Sequence, residues 1–240
     1  MTAIQDMTIR EIVANDFRAA EVFQRHGIDF CCKGNRSIEE ACRSLDVSAG
    51  EILREVGEVT AAPGSGGPRF NTWDLGTLVS YIQGNHHAFV RRTSPVLLTH
   101  TEKIAKVHGE THPELREVAD LFAAVALEMT SHMAKEDHIL FPYIVSLEEA
   151  SAAGTAAPPS PFGTVRNPIR MMEEEHESAG DAMARIRALT SGYAVPPGAC
   201  TTYRVCLQEL EAFERDLHEH VHLENNILFP RALRLESDNV

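Results

Sequence analysis

The chain has little positive charge. Twenty-two Lys and Arg stand against 35 Asp and Glu in 240 residues, a formal net charge of −13. That balance argues against a polyanion such as DNA as the main partner, because phosphate binding needs a face rich in Lys and Arg. No apolar run comes near the ~20 residues that cross a bilayer, so no membrane association is expected. The start, MTAIQDMTIREIVANDF, lacks the unbroken apolar core of a signal peptide. Five cysteines is an odd, low number, which argues against a disulfide framework and points to a reducing cytoplasm. Strand signals are absent throughout, so the chain reads as all-α. What is present is enough apolar residue, 43%, to bury a real core, and one excess: twelve histidines, more than a core needs. Beside them the acid surplus gains a second meaning, because buried cations need carboxylates.

Residues 59–70, VTAAPGSGGPRF, mix Pro, Gly and small residues without periodicity and read as a flexible linker. They divide a small N-terminal unit, 1–58, from a larger one over 71–232, with a tail at 233–240. In the small unit TIREIVANDFRAAEVFQRHG reads as helical and is ended by a Gly; SIEEAC and SAGEILREV follow, with Ser37 and Ser48 as N-caps. In the larger unit, helices are expected over 71–107, 114–149, 165–190 and 200–228. They are separated by HGETHP, SAAGTAAPPSPFGT and SGYAVPPGA, each containing Gly and Pro. Four such helices suggest an up-down-up-down bundle. The middle connection is the longest, so the bundle reads as two related hairpins.

A repeat supports that reading. SHMAKEDHILFP at 131–142 returns 88 residues later as EHVHLENNILFP at 219–230, each copy late in the second helix of its hairpin. The copies share His-x-x-x-Glu, then an acid or amide, then ILFP. Residues four apart lie one turn apart on the same face of a helix. His220 and Glu224 fall within an apolar stripe of Cys206, Leu210, Phe213, Leu217, Val221, Ile227 and Leu228. His218 and His222 lie about 200° from His220 and are expected at the solvent. His132 and Glu136 fall within a stripe of Leu121, Val125, Met129, Ile139, Leu140 and Tyr143, whereas His138 does not. One His-x-x-x-Glu is ordinarily a surface pair. A carboxylate on a core-facing stripe is costly unless a cation meets it, and two copies, each with a His, favour metal.

The other helices should contribute. His176 shares a stripe with Val165, Ile169, Met172, Ala179 and Met183. In the first helix His86 and His87 both qualify: Leu78, Val79 and Ile82 lean towards His86, Val90 and Leu98 towards His87, and neighbours about 100° apart cannot both face one site. The intervals between His87, His132, His176 and His220 are 45, 44 and 44 residues, which suggests one His per helix at a common level. Four His and two Glu exceed a closed four-ligand zinc site. They suit two non-haem irons in a bundle, with the glutamates bridging. Glu173, Glu174 and Glu175 are candidates for orienting ligands or relaying protons, or for a solvated face.

The N-terminal unit carries HGIDFCCKGN at 26–35. Adjacent cysteines are not expected to form a simple chelate. Cys31 and Cys32 sit in a loop beside Lys33, near positive charge that favours thiolate, and read as reactive thiols; Cys42, Cys200 and Cys206 read as packing.

DFCCKGN, HHAFVRR, SHMAKEDHILFP, EEEHESAG and HVHLENNILFPRA together resemble the repair-of-iron-centres family, which joins an ScdA-type N-terminal domain to a hemerythrin-like domain. The resemblance spans nearly the whole chain. It implies metal ligands at His87, His132, Glu136, His176, His220 and Glu224 around an oxo- or hydroxo-bridged di-iron centre, and decides the first helix for His87. It implies a role for Cys31 and Cys32 in restoring iron–sulfur clusters damaged by nitric oxide or peroxide. The partners would be damaged iron–sulfur proteins or scaffolds, and the chemistry iron donation, with nitric oxide reduction also proposed for the family. The alternative is hemerythrin-like reversible oxygen binding, which uses five His; His108 and His112, at a helix break, are the candidates for a fifth.

Overall fold

The computed structural model describes residues 4–43, 45, 47–62 and 68–238, and among them every regular element is helical. The N-terminal unit contains α1 (Ile9–Asn15), α2 (Ala19–Arg25), α3 (Ile38–Arg43) and α4 (Ala49–Ala61). Thr8 caps α1 in a reciprocal box with Glu11, and Ser37 and Glu40 do the same before α3. Ser48 accepts from the Glu51 amide and starts α4, so both expected serine caps are present. The expected first helix is broken at Asp16, which is extended (φ −150°) and holds Arg18 through its carboxylate. Gly27, at φ +68°, ends α2 in the left-handed region that a Cβ disfavours.

The larger unit contains α5 (75–108), α6 (114–153), α7 (Arg166–Leu189) and α8 (201–238). Three of these contain a wider π turn: Ile82–His87 in α5, Glu136–Leu140 in α6 and Glu224–Leu228 in α8. The repeated proline explains two of them. Pro142 and Pro230 lack an N–H and crowd the carbonyl a turn earlier; a turn widened just before them relieves the clash, so ILFP lets the helix continue. α8 therefore runs to Asp238, through most of what reads as a tail. The π turn also rotates the side chains beyond its start: Leu140 and Phe141 turn inward, while Ile139, expected on the stripe, is 49% exposed.

Two apolar layers fill the interior. One contains Leu78, Ile82, Phe141, Ile144, Leu147, Ile169, Leu228 and Phe229. The other contains Leu97, Phe122, Val125, Met129, Met183, Leu210, Phe213 and Leu217, and continues without a break into Ile9, Ile12, Phe23, Phe30 and Ile52 of the N-terminal unit. The small unit is thus docked against the bundle, not held apart from it. Residues 59–61 of the expected linker finish α4 and 70–72 form a short 3-10 turn, while 63–67 lie outside the described residues. The docking face of α8 holds the two histidines expected at the solvent. His222 is fully buried, its ring 5.7 Å from Phe17 and 5.9 Å from Phe30; His218 is half-buried, 6.0 Å from Phe30. Burial pushes the His222 pKa down to about 3 and that of His218 to about 4, so both rings are neutral and pack as aromatics.

Candidate metal centre

Between the two apolar layers, α5, α6, α7 and α8 bring together His87, His132, Glu136, His176, His220 and Glu224, none of them exposed. Their donor atoms form two groups of four: His87, Glu136, His220 and Glu224, and His132, Glu136, His176 and Glu224. Both glutamates belong to both groups. In the first, His87 Nε2 lies 3.1 Å from His220 Nε2, 3.4 Å from Glu136 Oε2 and 3.7 Å from Glu224 Oε1. In the second, His176 Nε2 lies 3.0 Å from His132 Nε2 and 3.0 Å from Glu224 Oε2, and His132 Nε2 lies 3.2 Å from Glu136 Oε2.

The outer nitrogens explain what the inner ones need. His87 Nδ1 faces Asp137 Oδ1 at 2.9 Å, His132 Nδ1 faces Glu175 Oε2 at 2.8 Å, and His176 Nδ1 faces Asn225 Oδ1 at 2.9 Å. An acceptor at Nδ1 fixes the proton there and leaves a lone pair on Nε2. The Nε2 lone pairs of His132 and His176 then point at each other across 3.0 Å, a repulsive arrangement unless a cation lies between them. Two imidazoles at ~2.1 Å from one ion and at right angles would place their nitrogens ~3.0 Å apart. Both Glu136 oxygens and Glu224 Oε2 are buried without a hydrogen-bond donor. The donor set therefore fits two divalent ions sharing two carboxylates. Without metal, protons take part of that role. Burial alone would lower both His87 and His132, but the facing carboxylates prevail and raise them to about 11 and about 9. For Glu136 and Glu224 burial opposes ionisation, and the histidines hold them below the ordinary value.

The repeat now has a physical reading at its Glu, its acid-or-amide and its Phe positions. The residue after each glutamate, Asp137 or Asn225, orients the histidine of the facing helix. Five residues after each glutamate comes a phenylalanine that covers that same ring: Phe141 stacks on His87 (5.6 Å, 16°) and Phe229 on His176 (6.2 Å, 6°). Sequence reasoning missed these orienting and covering roles, although the acid-or-amide position and the shared Phe were their signal. Of the three acids before His176, Glu175 orients His132 and is held by Lys135, whereas Glu173 and Glu174 face solvent. Both His86 and His87 are buried, but of the two the structure brings His87 in among the donors. His87 belongs to the first group of donors; His86 stacks on His220 (5.7 Å, 6°) and bonds Asp216 at 3.1 Å.

A family model described as the hemerythrin HHE cation binding domain matches residues 77–232, and ScdA_N, described as a domain of unknown function, matches 5–60. The chain is 34% identical over 221 residues to the iron-sulfur cluster repair protein ScdA of Staphylococcus haemolyticus, covering 92% of this chain and 95% of that one. It is 35% identical to the iron-sulfur cluster repair protein YtfE of Yersinia pestis (91% and 93% covered), and 33% identical to that of Pectobacterium carotovorum (98% and 100%). The chain belongs to the ScdA/YtfE family. Its hemerythrin-like bundle is of the cation-binding type, typically an iron binder.

In this ScdA/YtfE chain the remaining candidates separate by position. His108 and His112 pack on Tyr203, with His108 Nε2 3.2 Å from Cys200 Sγ. Tyr203 lies seventeen residues before His220 in α8, so about 25 Å of helix separates them from the six-residue centre. Cys200, expected to pack, is exposed there, whereas Cys42 and Cys206 are buried. Cys31 and Cys32 lie outside the centre, at the docking face. The setting of Cys31 is not one that favours thiolate: the Cys32 thiol beside it, then burial, then Asp29 raise its pKa well above the ordinary value. Lys33 turns instead to Glu177, at 3.6 Å. No helix among the described residues is long and apolar enough to cross a membrane.

Proposed function

We propose that this protein repairs iron–sulfur proteins damaged by nitrosative or oxidative stress, using iron held at the two-ion centre. His87 and His220 would hold one ion, His132 and His176 the other, and Glu136 and Glu224 would bridge them. The observation that carries the reading is the pair of donor groups sharing both glutamates in a buried layer. When bound, the two irons supply exchangeable ferrous ions, held by imidazole and shared carboxylate without any thiolate, a set that binds iron less firmly than a cluster's cysteines would. Iron is then cargo as well as ligand partner. Cys31 and Cys32, at the docking face, would engage the damaged client or receive the outgoing ion. Five free cysteines suit action in the cytoplasm.

Nitric oxide reduction is a second reading, favoured by the close placing of two ion positions across the same two carboxylates, which allows two small ligands to meet. Reversible oxygen binding has less support, because His108 and His112 sit at the other end of the bundle and four imidazoles serve both ions.

The test is anaerobic reconstitution followed by mixing with a nitric-oxide-damaged iron–sulfur enzyme. Two irons per chain and recovered enzyme activity are expected. Cys31→Ser/Cys32→Ser should keep its iron and lose most of the repair. A single zinc that survives chelators would sink the two-ion reading, and full repair by the cysteine variant would sink the role given to the thiols.

A further inference from the structure

The loop that carries Cys31 and Cys32 is built differently from what adjacent cysteines suggest. Neighbouring side chains diverge in a helix and in a strand. Here the Asp29 carboxylate accepts the amides of Cys31 (3.1 Å) and Cys32 (2.9 Å), and this turn points both thiols to one side. The sulfurs are 3.8 Å apart, and Cys31 Sγ is 3.4 Å from Asp29 Oδ1. One donor atom from each of the three residues lies within 4.8 Å of the other two. Two thiolates at ~2.3 Å from one ion, at the tetrahedral angle, have sulfurs ~3.8 Å apart. Van der Waals contact alone gives a similar separation, so the distance does not decide the matter; the third donor and the space in front of the thiols do. The three residues line a cavity of about 200 Å³ between the N-terminal unit and the bundle, together with Glu177 and His218. The His218 Nδ1 atom is buried without a hydrogen-bond partner.

We propose that this cleft is a third metal site, in which Asp29, Cys31 and Cys32 hold one divalent transition ion and the fourth position opens to the cavity. Two thiolates with one carboxylate favour a borderline ion such as ferrous iron over magnesium or calcium, and an open fourth position keeps the ion exchangeable. The proposal deepens the repair reading, on which it rests for its purpose, by giving the thiols a cargo. The placing of the site supports transfer. On α7, His176 faces the two-ion centre and the next residue, Glu177, faces the cleft. On α8, Asn225 orients His176, and the next residue, Asn226, donates to the carbonyls of Phe30 (3.1 Å) and Cys31 (3.2 Å).

The experiment uses the full chain with its bundle loaded with iron, under reductant and without oxygen, titrated with cobalt(II). One further equivalent should bind, with thiolate-to-cobalt charge-transfer absorption in the near ultraviolet. Cys31→Ser and Cys32→Ser should each abolish that band. Asp29→Asn keeps the oxygen that holds the loop but removes the charge, and should weaken cobalt binding on the order of tenfold or more. Iron content, followed by elemental analysis, should stay at the wild-type level in all three. No third equivalent, or a band that survives Cys31→Ser/Cys32→Ser, overturns the site. If the third ion is missing while that double variant still loses repair, the site falls and the repair role of the thiols stands. If the ion binds and the double variant repairs normally, the site stands and that role falls.

Discussion

Replacing Asp137 by Asn would separate the two halves of the centre. Asp137 accepts a hydrogen bond from His87 Nδ1 at 2.9 Å and is also held by Gln83 at 2.9 Å and by Arg91. The substitution preserves shape and an acceptor oxygen but removes the charge, giving His87 the kind of partner that His176 already has in Asn225. Losing the outer partner of a metal-binding histidine typically weakens the metal 10–100-fold, or about 1.4–2.8 kcal/mol. The loss should fall on the ion held by His87 and His220, since the other keeps Glu175 and Asn225. A second effect opposes it. Asp137 is part of what raises His87 to about 11, so the variant releases its proton to an incoming metal more easily. Near pH 7 the two effects partly cancel and the weakening should be nearer tenfold; at alkaline pH, where the proton matters less, it should approach a hundredfold. Arg91 is half-exposed, so its lost pairing should cost little stability. Chelator competition, read step by step for the two ions, measures the effect, and Asn225→Asp should strengthen the other ion. Equal weakening of both ions, or a loss that shrinks as pH rises, would refute the reasoning.

Metal loading of the wild type should itself depend steeply on pH. His87 and His132 carry protons in the metal-free protein up to about 11 and about 9, so below pH 9 loading both ions displaces two protons, and the combined affinity should rise about 100-fold per pH unit. The same protons stabilise the metal-free bundle fully below about pH 6.5, and that contribution fades as pH rises through 9 and 11. A flat affinity profile, or no acid released into a weakly buffered solution, would contradict this. Glu136→Leu and Glu224→Leu should each disturb both ions, seen as loss of spectroscopic coupling beyond one iron's worth; one ion lost with the other unperturbed would make that glutamate terminal. His222→Ala should cost about 2–3 kcal/mol in chemical denaturation by opening a cavity between Phe17 and Phe30, with iron content near wild type. Metal loss in that variant would mean that the docking face and the centre are not independent.

The bundle and most of the centre were legible because their signals are periodic and costly to fake. Glu136 and Glu224 on apolar stripes have no comfortable explanation but a cation, and Gly and Pro mark the breaks at 109–113 and 190–200. Other features gave no such signal. A π turn has no residue signature of its own, so a strict 3.6-residue period misplaced Ile139 and could not show that His86 and His87 both turn inward. Pro230 reads as a stop until the widened turn before it is seen. His218 and His222 look polar on paper, yet as neutral rings they form the floor on which Phe17 and Phe30 rest, and so the docking of the N-terminal unit went unseen. For the same reason deleting that unit is a poor test of the bundle: it would expose a face that Phe30 and its neighbours now cover. The convergence of Cys31 and Cys32 depends on one carboxylate, Asp29, gathering two amides, a local turn that spacing alone does not reveal.

Glu224, Asn225 and Asn226 are consecutive residues with three different destinations: the ion positions, the back of His176, and the carbonyls beneath the cysteine loop. Among the described residues, one turn of α8 therefore borders both the buried centre and the loop that carries the thiols. A change at position 225 or 226 cannot be absorbed on one side of that turn alone. Shortening the helix just before Glu224 by a single residue would turn the amide meant for Phe30 and Cys31 towards the metal histidine and send the bridging carboxylate off its axis. The two halves of the molecule thus share one register, and a sequence that drifts on the bundle side must drift in step on the cysteine side to keep both working.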